Sequence, residues 1–352
     1  MLPGPMTDDR SKYAARAQAG DPAAGDIPNF LRFAPVEDAE GVAKLALLNE
    51  RARTGDWRQA LEATYPDAGF VRYVTQLDRA AFLDLLPIDA SSDVLEIGPG
   101  LGQFTGLIAE RARSVHALEV VPGQAEFTLT RCRQQGLTNV EVAVGGDDCR
   151  LPYRDRVFDL IVLNLVFEWC GSRLETEPHE FAQTRLLSEM VRVLKPGGAL
   201  YLATKNRYAM RLLRGGRDEH QFELRFGSAL PRALSARLLR RRGHRRAMGM
   251  LYSHDRLAAM LRDAGLTNLR SYWAAPEMRV PTHYIATDAP SVRAARAKPG
   301  LVQASGRLTN WLTSLVPARW VRHVMPGLAF LAFKPAAGAP SDDASGSATP
   351  TR

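Results

Sequence analysis

The stretch Val94-Leu95-Glu96-Ile97-Gly98-Pro99-Gly100-Leu101-Gly102 decides how this chain folds. A short, mostly apolar run leads into a turn with glycine at every second position, and apolar residues return after the turn. This order is typical of a buried strand that enters a tight turn and continues as a helix. Glycine accepts the positive φ angles of such a turn and leaves its backbone open to a ligand. The stretch therefore predicts a nucleotide-like ligand beside a helix that begins near Gln103 with free N–H groups.

Strands and helices alternate on both sides of this turn. The pattern predicts strands at 94–97, 114–120, 140–144, 158–165, 199–204, 269–274 and 327–334, and helices at 104–112, 124–135, 181–194 and 253–264. The continuous apolar run at 158–165 is typical of a central parallel strand that is covered on both faces. We therefore expect an α/β fold, a doubly wound, Rossmann-like, seven-stranded and mostly parallel sheet.

The composition divides the chain into four parts. Residues 1–26 and 335–352 are rich in small and polar residues and are predicted to be disordered tails. Residues 27–88 form a predicted N-terminal helical segment, and residues 89–334 form the main domain. Two irregular stretches of that domain, 206–250 and 276–325, are expected to be insertions that form a helical lid on the substrate side.

Charge and cysteine content limit the partners and the compartment. The net charge is +8, and residues 207–246 hold twelve of the arginines against three acids. Such a run is either a solvated helix surface or a face for an anionic partner, meaning a phosphorylated substrate or an anionic membrane; nucleic acid is ranked last because no nucleic-acid motif lies nearby. Three widely spaced cysteines form no zinc pattern, and no transmembrane run or secretory signal is found. We expect a cytoplasmic protein without a metal site.

Five motifs follow one another in a fixed order: Glu-x-Gly-x-Gly-x-Gly at 96–102, Ala-Leu-Glu-Val at 117–120, Gly-Asp-Asp-Cys-Arg-Leu-Pro-Tyr at 146–153, Phe-Asp-Leu-Ile-Val at 158–162 and Arg-Val-Leu-Lys-Pro-Gly-Gly at 192–198. This set resembles the class I S-adenosylmethionine-dependent methyltransferases, in particular bacterial type 11 and type 12 members, closely over 93–204 and more loosely to 334. Motifs at 206–208, 216–220, 230–232 and 252–253 resemble a bacterial branch associated with glycan and secondary-metabolite gene clusters. A nicotinamide dehydrogenase has no place for the motifs at 146–153 and 192–198.

The resemblance implies S-adenosylmethionine as cofactor and assigns roles to residues of the glycine-rich turn. Gly98, Gly100 and Gly102 would let the backbone approach the methionine part and the ribose. Glu96 would orient the cofactor amino group, since a carboxylate suits an ammonium group. The alternative for Glu96 is a salt-bridged acid near the end of a strand.

Further cofactor contacts are implied at the ends of the next strands. Glu119 would accept the ribose hydroxyls, and Asp147, with the backbone of Asp148 beside it, would accept the adenine amino group. Asn164 and Leu165 would lie under the sulfonium centre. The alternative for Glu119 is a solvated surface position. The alternative for the two aspartates is a structural role in a turn or as a helix cap.

His220 is the candidate general base for a hydroxyl acceptor, with Asp218 or Glu219 orienting its ring. Its alternative is an ordinary surface histidine. Arg207 follows the fifth strand at the edge of the sheet where ligands bind, and we expect it to contact substrate. Trp169 is either a ligand contact or a packing residue.

The predicted activity is O-methylation of a glycan or small-molecule metabolite, with an anionic or lipid-linked acceptor. One alternative is protein or RNA methylation, which the sequence Asn-Leu-Val-Phe at 164–167 disfavours because it is not of the Asn-Pro-Pro-Tyr type. Another is a non-catalytic, cofactor-binding subunit, which the acids at 96, 119 and 147 disfavour. Apolar residues at 311–321 favour a helix packed on the core, with peripheral membrane contact as the alternative.

Overall fold

One central sheet organises the chain, whose computed structural model describes residues 10–14, 27–33, 38–174, 176–276, 278–298 and 307–338. The strands are β1 (Asp93–Ile97), β2 (Ser114–Glu119), β3 (Val140–Val144), β4 (Phe158–Asn164), β5 (Leu194–Lys205), β6 (Arg217–Asp218), β7 (Leu224–Arg225), β8 (Thr267–Ala275), β9 (His283–Ala286) and β10 (Gly327–Phe333). Eight of them form the sheet in the order β3-β2-β1-β4-β5-β10-β8-β9, and β6 and β7 pair with each other as a separate hairpin.

Helices cover this sheet, and three of them precede β1 in the chain. They are α1 (Ala39–Thr54), α2 (Trp57–Thr64), α3 (Ala68–Thr75), α4 (Thr105–Ala109), α5 (Pro122–Gln134), α6 (His179–Val193), α7 (Met210–Leu213), α8 (Arg232–Arg241), α9 (His254–Asp263), α10 (Ala289–Arg296), α11 (Arg307–Leu315) and α12 (Val321–Val324). Helix α4 begins at Thr105, two residues after the predicted start. The side chain of Ser253 caps α9 as its N-cap, by accepting a hydrogen bond from the Arg256 N–H.

The strand order places a cleft at the carboxyl edge of the sheet. Strands β1 to β5 are parallel, and the order runs one way from β1 through β2 to β3 and the other way through β4 to β5. The strand order therefore reverses between β1 and β4, and ligands of open α/β sheets bind at such a point. The glycine-rich turn follows β1 and lies at this position.

The sheet confirms the predicted fold class and corrects the number of strands from seven to eight. The additional strand is β9, which pairs antiparallel with β8 and lies within the stretch 276–325 that was predicted to be irregular. Four residues are too few to show a period in the sequence. Their extended conformation is stabilised by hydrogen bonds to the edge of β8, which only the folded chain provides.

Alternating side chains of the strands build two apolar layers, one on each face of the sheet. Leu95 and Ile161 belong to the layer that contains α6 and α9, whereas Val94 and Leu160 belong to the opposite layer. A third apolar cluster joins α1, α2 and α5, with Phe127 fully buried at its centre. The first two helices thus pack on a helix of the main domain.

Five residues within the predicted N-terminal tail pack against the sheet, which corrects the prediction for that part. Lys12 donates a hydrogen bond to Asp93 Oδ1 at 3.1 Å, and the ring of Tyr13 stacks on Tyr153 with centroids 5.1 Å apart. Burial of one aromatic ring holds this short segment, although the surrounding composition resembles a tail. The rest of 1–26, and residues 339–352 of the predicted C-terminal tail, lie outside the described residues.

The second irregular stretch presents an apolar surface to solvent. The exposed fractions of Trp311, Leu315 and Trp320 are 57%, 60% and 51%, whereas Val321 is fully buried. The expectation that this stretch packs its apolar side on the core is therefore wrong for the two tryptophans. Among the helices of the described ranges, none combines the length and apolar character needed to cross a bilayer.

Candidate functional site

The three glycines of the turn after β1 adopt positive φ angles of +71°, +61° and +70°, as the sequence pattern predicts. A Cβ on Gly98 would lie 2.5 Å from Cγ2 of Val166, so glycine permits close contact with the segment after β4. A Cβ on Gly102 would lie 3.2 Å from Thr128. A Cβ on Gly100 would meet nothing within 4 Å. Gly100 therefore faces open space, whereas Gly98 and Gly102 permit close packing against Val166 and Thr128.

That open space is a cavity of about 470 Å³ at the carboxyl ends of β1, β2 and β3. We call it the glycine-turn cavity. Its walls include Gly98, Gly100, Glu119, Gly146 and Trp169. Its volume lies in the range of small-molecule sites, which is about 300–1,000 Å³. The cavity therefore has the size and the open backbone that the glycine spacing predicts.

Glu119 ends β2 and lines the glycine-turn cavity. Its carboxylate accepts hydrogen bonds from the N–H groups of Gly100 at 3.0 Å, Val120 at 2.8 Å and Val121 at 3.1 Å. Burial raises the pKa of the Glu119 carboxyl, and these N–H groups and the guanidinium of Arg173 oppose the change. The two oxygens offer about four acceptor sites, so the carboxylate retains capacity for a ligand hydroxyl.

Glu96 is buried below the turn and is not part of the cavity wall. Its carboxyl accepts a hydrogen bond from Oγ1 of Thr105 at 2.6 Å, at the start of α4. Burial raises the pKa of Glu96 to about 7, and the nearby Glu119 adds to the increase. The structure thus brings Glu96 to Thr105, and its predicted contact with the cofactor amino group stays a prediction.

Asp147 and Asp148 hold the N-terminal segment 27–33 against the end of β3. Asp147 accepts hydrogen bonds from the backbone N–H groups of Arg32 at 3.0 Å and Phe33 at 2.8 Å. Asp148 pairs with Arg32 Nε at 2.9 Å and accepts from the Arg150 N–H at 2.9 Å, so the turn-cap alternative describes it. Neither aspartate is part of the wall of the glycine-turn cavity.

Asn164 ends β4 and Leu165 follows it, one residue beyond the strand rather than within it as predicted; neither lines the glycine-turn cavity. Leu165 has a φ of +60°, which is uncommon for a residue with a side chain, and its N–H donates to the Ala203 carbonyl at 2.8 Å. The turn at Leu165 carries the chain to Val166 and Trp169, and these two residues do line the cavity. Strained backbone of this kind is concentrated at functional sites.

A second cavity, of about 300 Å³, lies beyond the carboxyl end of β5. We call it the dyad cavity, because its wall contains Asp218 and His220, each with a side chain only 1% exposed. Nδ1 of His220 lies 3.0 Å from Oδ1 of Asp218, and Oδ2 of Asp218 accepts from the Ser228 N–H at 2.6 Å. Nε2 of His220 has no hydrogen-bond partner among the residues described.

The charge of Asp218 decides which ring nitrogen of a neutral His220 carries the hydrogen. Burial alone would raise the pKa of Asp218, but hydrogen bonds from His220 and Ser228 outweigh it and lower that pKa below its usual range. An ionised Asp218 accepts the Nδ1–H of His220, which leaves Nε2 as the basic nitrogen. Glu219, the other predicted orienting acid, binds Lys205 and also Arg279, the latter at 2.7 Å, and its Oε1 lies 3.7 Å from Nε2 of His220. Asp218 is therefore the acid that contacts Nδ1, and its orienting role stays a prediction.

Trp169 lies between the two cavities. Its side chain lines the glycine-turn cavity, and its ring centroid lies 4.5 Å from that of His220 with the planes tilted by 33°. The sequence left this tryptophan undecided between ligand contact and packing. One aromatic side chain thus separates a nucleotide-sized cavity from a buried histidine base.

Three further residues support the dyad; the sequence points to Glu168, which follows the fourth strand beside Trp169, but it assigns no role to Gly249 or Trp273. Glu168 is fully buried; its Oε2 accepts from Thr204 Oγ1 at 2.7 Å, and its Oε1 has no partner within the described ranges. A Cβ on Gly249 would lie 2.6 Å from the Glu168 carbonyl and 3.1 Å from Cδ2 of His220. Trp273, 1% exposed, lines the dyad cavity with an unpaired Nε1. The position after β4 was the signal for Glu168, whereas the glycine at 249, next to a basic run, gave only an unspecific one and Trp273 gave none.

Arg207, the predicted substrate contact, lies on the far side of the segment that carries the dyad. Its Nε donates to the Ser228 carbonyl at 2.7 Å, and one terminal nitrogen donates to the Leu230 carbonyl at 2.8 Å. It lines a third cavity, of about 370 Å³, whose wall also contains Ser228, Arg232, Arg245 and Arg246. We call this the arginine cavity. The structure does not bring Arg207 to His220.

Comparisons with known proteins identify a methyltransferase domain in this chain. Residues 95–202 match a family described as a methyltransferase domain. The biotin biosynthesis bifunctional protein BioHC of Cellvibrio japonicus is 35% identical over 144 residues, 40% of this chain and 25% of that protein. The malonyl-[acyl-carrier protein] O-methyltransferase of a Marinomonas species is 30% identical over 36% of this chain and 43% of that protein. The chain thus spans 25% and 43% of the lengths of these two relatives.

A solved structure, the phosphoethanolamine N-methyltransferase 2 of Haemonchus contortus, aligns with 74% of this chain and 53% of its own at 16% identity and a TM-score of 0.44. The family match covers the last three residues of β1, the glycine-rich turn, strands β2 to β4 and most of β5. Residues 95–202 thus form a methyltransferase domain, which confirms over this range the resemblance to the class I S-adenosylmethionine-dependent methyltransferases. Its cofactor is S-adenosylmethionine.

Proposed function

We propose that the whole chain transfers a methyl group from S-adenosylmethionine to a hydroxyl oxygen of a small molecule or a glycan. The observation that carries this proposal is the buried Asp218–His220 pair. Nε2 of His220 makes no hydrogen bond among the residues described, and one tryptophan separates the ring from the glycine-turn cavity. A base at that position is able to take the proton of an acceptor as the new bond forms. The reduced state of all three cysteines suits the cytoplasmic location that we propose with it.

The glycine-turn cavity is the proposed cofactor site. The open backbone at Gly100 leaves room for the ligand, and Glu119 has acceptor capacity for its ribose hydroxyls. When bound there, the cofactor supplies an electrophilic methyl group on a cationic sulfur. Trp169 would form the wall between that sulfur and the dyad cavity. The role of the protein is then to hold the acceptor oxygen in line with the methyl carbon, at roughly 3–3.5 Å.

The polar atoms of the dyad cavity favour a hydroxyl acceptor over a carboxylate. A hydroxyl group donates one hydrogen bond and accepts others, so it suits both Nε2 of His220 and the unpaired indole N–H of Trp273. A carboxylate is ionised at neutral pH and needs no base to become a nucleophile. A buried, oriented histidine base would serve no purpose for such an acceptor.

The other acceptor classes have weaker support. Methylation of protein or RNA is the alternative activity, and a non-catalytic cofactor-binding subunit is the second alternative; the preformed dyad argues against the latter. An anionic or lipid-linked acceptor finds support in the exposed Trp311, Leu315 and Trp320 beside the arginines at 319 and 322, since tryptophan and arginine favour a membrane interface.

Calorimetry with S-adenosylmethionine tests the cofactor site. The unmodified protein is expected to bind, and Glu119→Ala is expected to weaken binding about tenfold to a hundredfold, because charge-assisted hydrogen bonds contribute about 1.5–3 kcal/mol. The matched control is Glu110→Ala, which removes an exposed carboxylate at the end of α4. Absence of binding by the unmodified protein would refute the proposal.

The fate of a labelled methyl group tests the acceptor chemistry. Protein is incubated with methyl-labelled S-adenosylmethionine and an extract of small molecules and glycans, and the product is treated with alkali. A methyl ether keeps its label, whereas a methyl ester releases it as volatile methanol. We expect an alkali-stable label that falls about 10²–10⁴-fold in His220→Ala and is unchanged in His283→Ala, an exposed histidine. A label that alkali releases would exclude the hydroxyl acceptor.

A further inference from the structure

The arginine cavity is an open, positively charged pocket that the proposed reaction does not use. It lies between α8, the segment 245–251 and the start of α6, and its volume of about 370 Å³ is that of a small-molecule site. Four arginines line it, at positions 207, 232, 245 and 246. The nearby acids already have partners: Glu177 binds Arg185 through both oxygens at 2.9 and 2.8 Å, and Glu180 binds Arg256 at 2.6 Å.

Arg207 carries a partly buried charge without a counter-ion. Its hydrogen-bond acceptors are two backbone carbonyls, and no carboxylate lies within ion-pair distance of it in the described part of the chain. Burial lowers its pKa, and the neighbouring guanidinium of Arg232 lowers it further. Arg232 is itself 3.6 Å from Glu180, a carboxylate that it shares with Arg256. Two like charges that face one cavity are stabilised when an anion lies between them.

The single histidine of the cavity agrees with this excess of positive charge. His179 is buried in the wall, and its ring nitrogens lie 2.7 and 3.2 Å from a terminal nitrogen of Arg246. Burial and this guanidinium lower the pKa of His179 to about 4, so the imidazole is neutral at physiological pH. The histidine therefore adds hydrogen-bonding capacity but no further charge.

A serine hydroxyl completes the wall. Ser228 is 8% exposed and lines the cavity. Its Oγ makes no hydrogen bond of ordinary geometry among the residues described, although the side chain lies near enough to Asp218 to help lower the pKa of that carboxyl. A buried hydroxyl in this situation has hydrogen-bonding capacity left for a ligand. The backbone carbonyl of the same serine accepts a hydrogen bond from Arg207.

We propose that the arginine cavity is a second ligand site, which binds a phosphate or diphosphate group through Arg207, Arg232, Arg245 and the Ser228 hydroxyl. Phosphoryl oxygens suit this wall because arginine presents several parallel N–H donors to them and a serine hydroxyl adds one more. A carboxylate-sized anion would engage fewer of these donors. The site does not depend on the methyl-transfer reaction.

The same serine connects this site to the dyad. The Ser228 N–H donates to Oδ2 of Asp218, while Oδ1 of Asp218 holds His220. Gly227 permits this close approach, because a Cβ there would lie 2.6 Å from Asp218. Segment 218–228 therefore forms a thin wall between the arginine cavity and the dyad cavity. A phosphate bound on one side would hold the dyad in place on the other.

Pyrophosphate binding at constant ionic strength tests the site. Calorimetric titrations use inorganic phosphate, pyrophosphate and a nucleoside diphosphate on the full chain. The double variant Arg232→Ala/Arg245→Ala is expected to weaken pyrophosphate binding at least tenfold, and Ser228→Ala is expected to weaken it several-fold. The matched control Arg240→Ala/Arg241→Ala removes two exposed arginines of the same helix, with the same change in net charge, and should bind as the unmodified protein does.

The outcomes separate the possible sources of the phosphoryl group. Tighter binding of the nucleoside diphosphate than of pyrophosphate assigns the site to a ligand that carries a diphosphate. Equal binding of phosphate and pyrophosphate, lost in the cavity variant alone, assigns it to a free anion. Equal loss in the cavity variant and in the control would refute the site, because it would reflect net charge only. Failure of the unmodified protein to bind any of the three at millimolar concentration would also refute it.

Discussion

Alanine at Gly98 and alanine at Gly100 are expected to damage the protein in opposite ways. Both glycines have left-handed φ angles, +71° and +61°, in which a residue with a Cβ is less stable by about 1–2 kcal/mol. At Gly98 the new Cβ would also lie 2.5 and 2.9 Å from the two methyl groups of Val166. Overpacking of this kind adds about 1–3 kcal/mol. At Gly100 the Cβ would meet nothing within 4 Å.

The free energy of unfolding is therefore expected to fall by about 2–5 kcal/mol in Gly98→Ala and by about 1–2 kcal/mol in Gly100→Ala. Affinity for S-adenosylmethionine should show the reverse order. The methyl group of Gly100→Ala would project into the glycine-turn cavity, and we expect it to weaken binding about tenfold to a hundredfold. Urea denaturation measures the first quantity, and calorimetry on the folded variants measures the second.

A double-mutant cycle isolates the contact with Val166. The Val166→Ala substitution removes the methyl groups that the new Cβ of Gly98→Ala would meet, so it should restore part of the lost stability. The same substitution should not help Gly100→Ala. Equal destabilisation of the two glycine variants, or unchanged cofactor affinity in Gly100→Ala, would contradict the assignment of Gly98 to packing and Gly100 to the ligand.

Three further outcomes are expected. The folded state raises the pKa of Glu96 to about 7, so the folded protein holds a proton that the unfolded chain releases near the ordinary pKa of a glutamate. The stability that Glu96 contributes is therefore present at low pH and is lost as the pH rises towards 7. Glu96→Gln should flatten this part of the pH profile of stability measured by urea denaturation. Replacing Trp311 and Trp320 by alanine should weaken sedimentation with anionic lipid vesicles, whereas the exposed Leu77→Ala should not, and equal binding by all variants would exclude that surface as a membrane contact. Tyr13→Ala should lower the free energy of unfolding by about 3–5 kcal/mol, and a change within error would mean that residues 10–14 do not pack on the sheet.

Most of the fold follows from short-range patterns in the sequence. Each predicted strand of the sheet is present, because alternating or continuous apolar runs and glycine or proline turns act over a few neighbouring residues. Strand β9 was missed because its extended conformation is stabilised by β8. Residues 10–14 were missed because one tyrosine, Tyr13, decides their packing within a segment of tail-like composition.

The candidate site was predictable where a strand end alone sets the position. Glu119 lines the expected cavity because the carboxyl ends of parallel strands meet at one edge of the sheet. Asp147 follows another strand, yet its carboxylate binds backbone N–H groups of residues more than 110 positions earlier. No local pattern reports such a contact. The predicted roles of Glu96, Asp147, Asn164 and Arg207 remain predictions that ligand-binding measurements on their variants will test.

The sequence by itself determined the class of protein and the position of the glycine-rich turn, because glycine spacing and apolar periodicity act on the local backbone. Only the tertiary structure decided which acid contacts Nδ1 of His220, since Asp218 and Glu219 are neighbours in sequence and differ in what folds against them. It also showed which arginines of 207–246 line a common cavity. Side-chain direction and burial depend on elements far apart in the chain, and these come together only when the sheet and its insertions have packed.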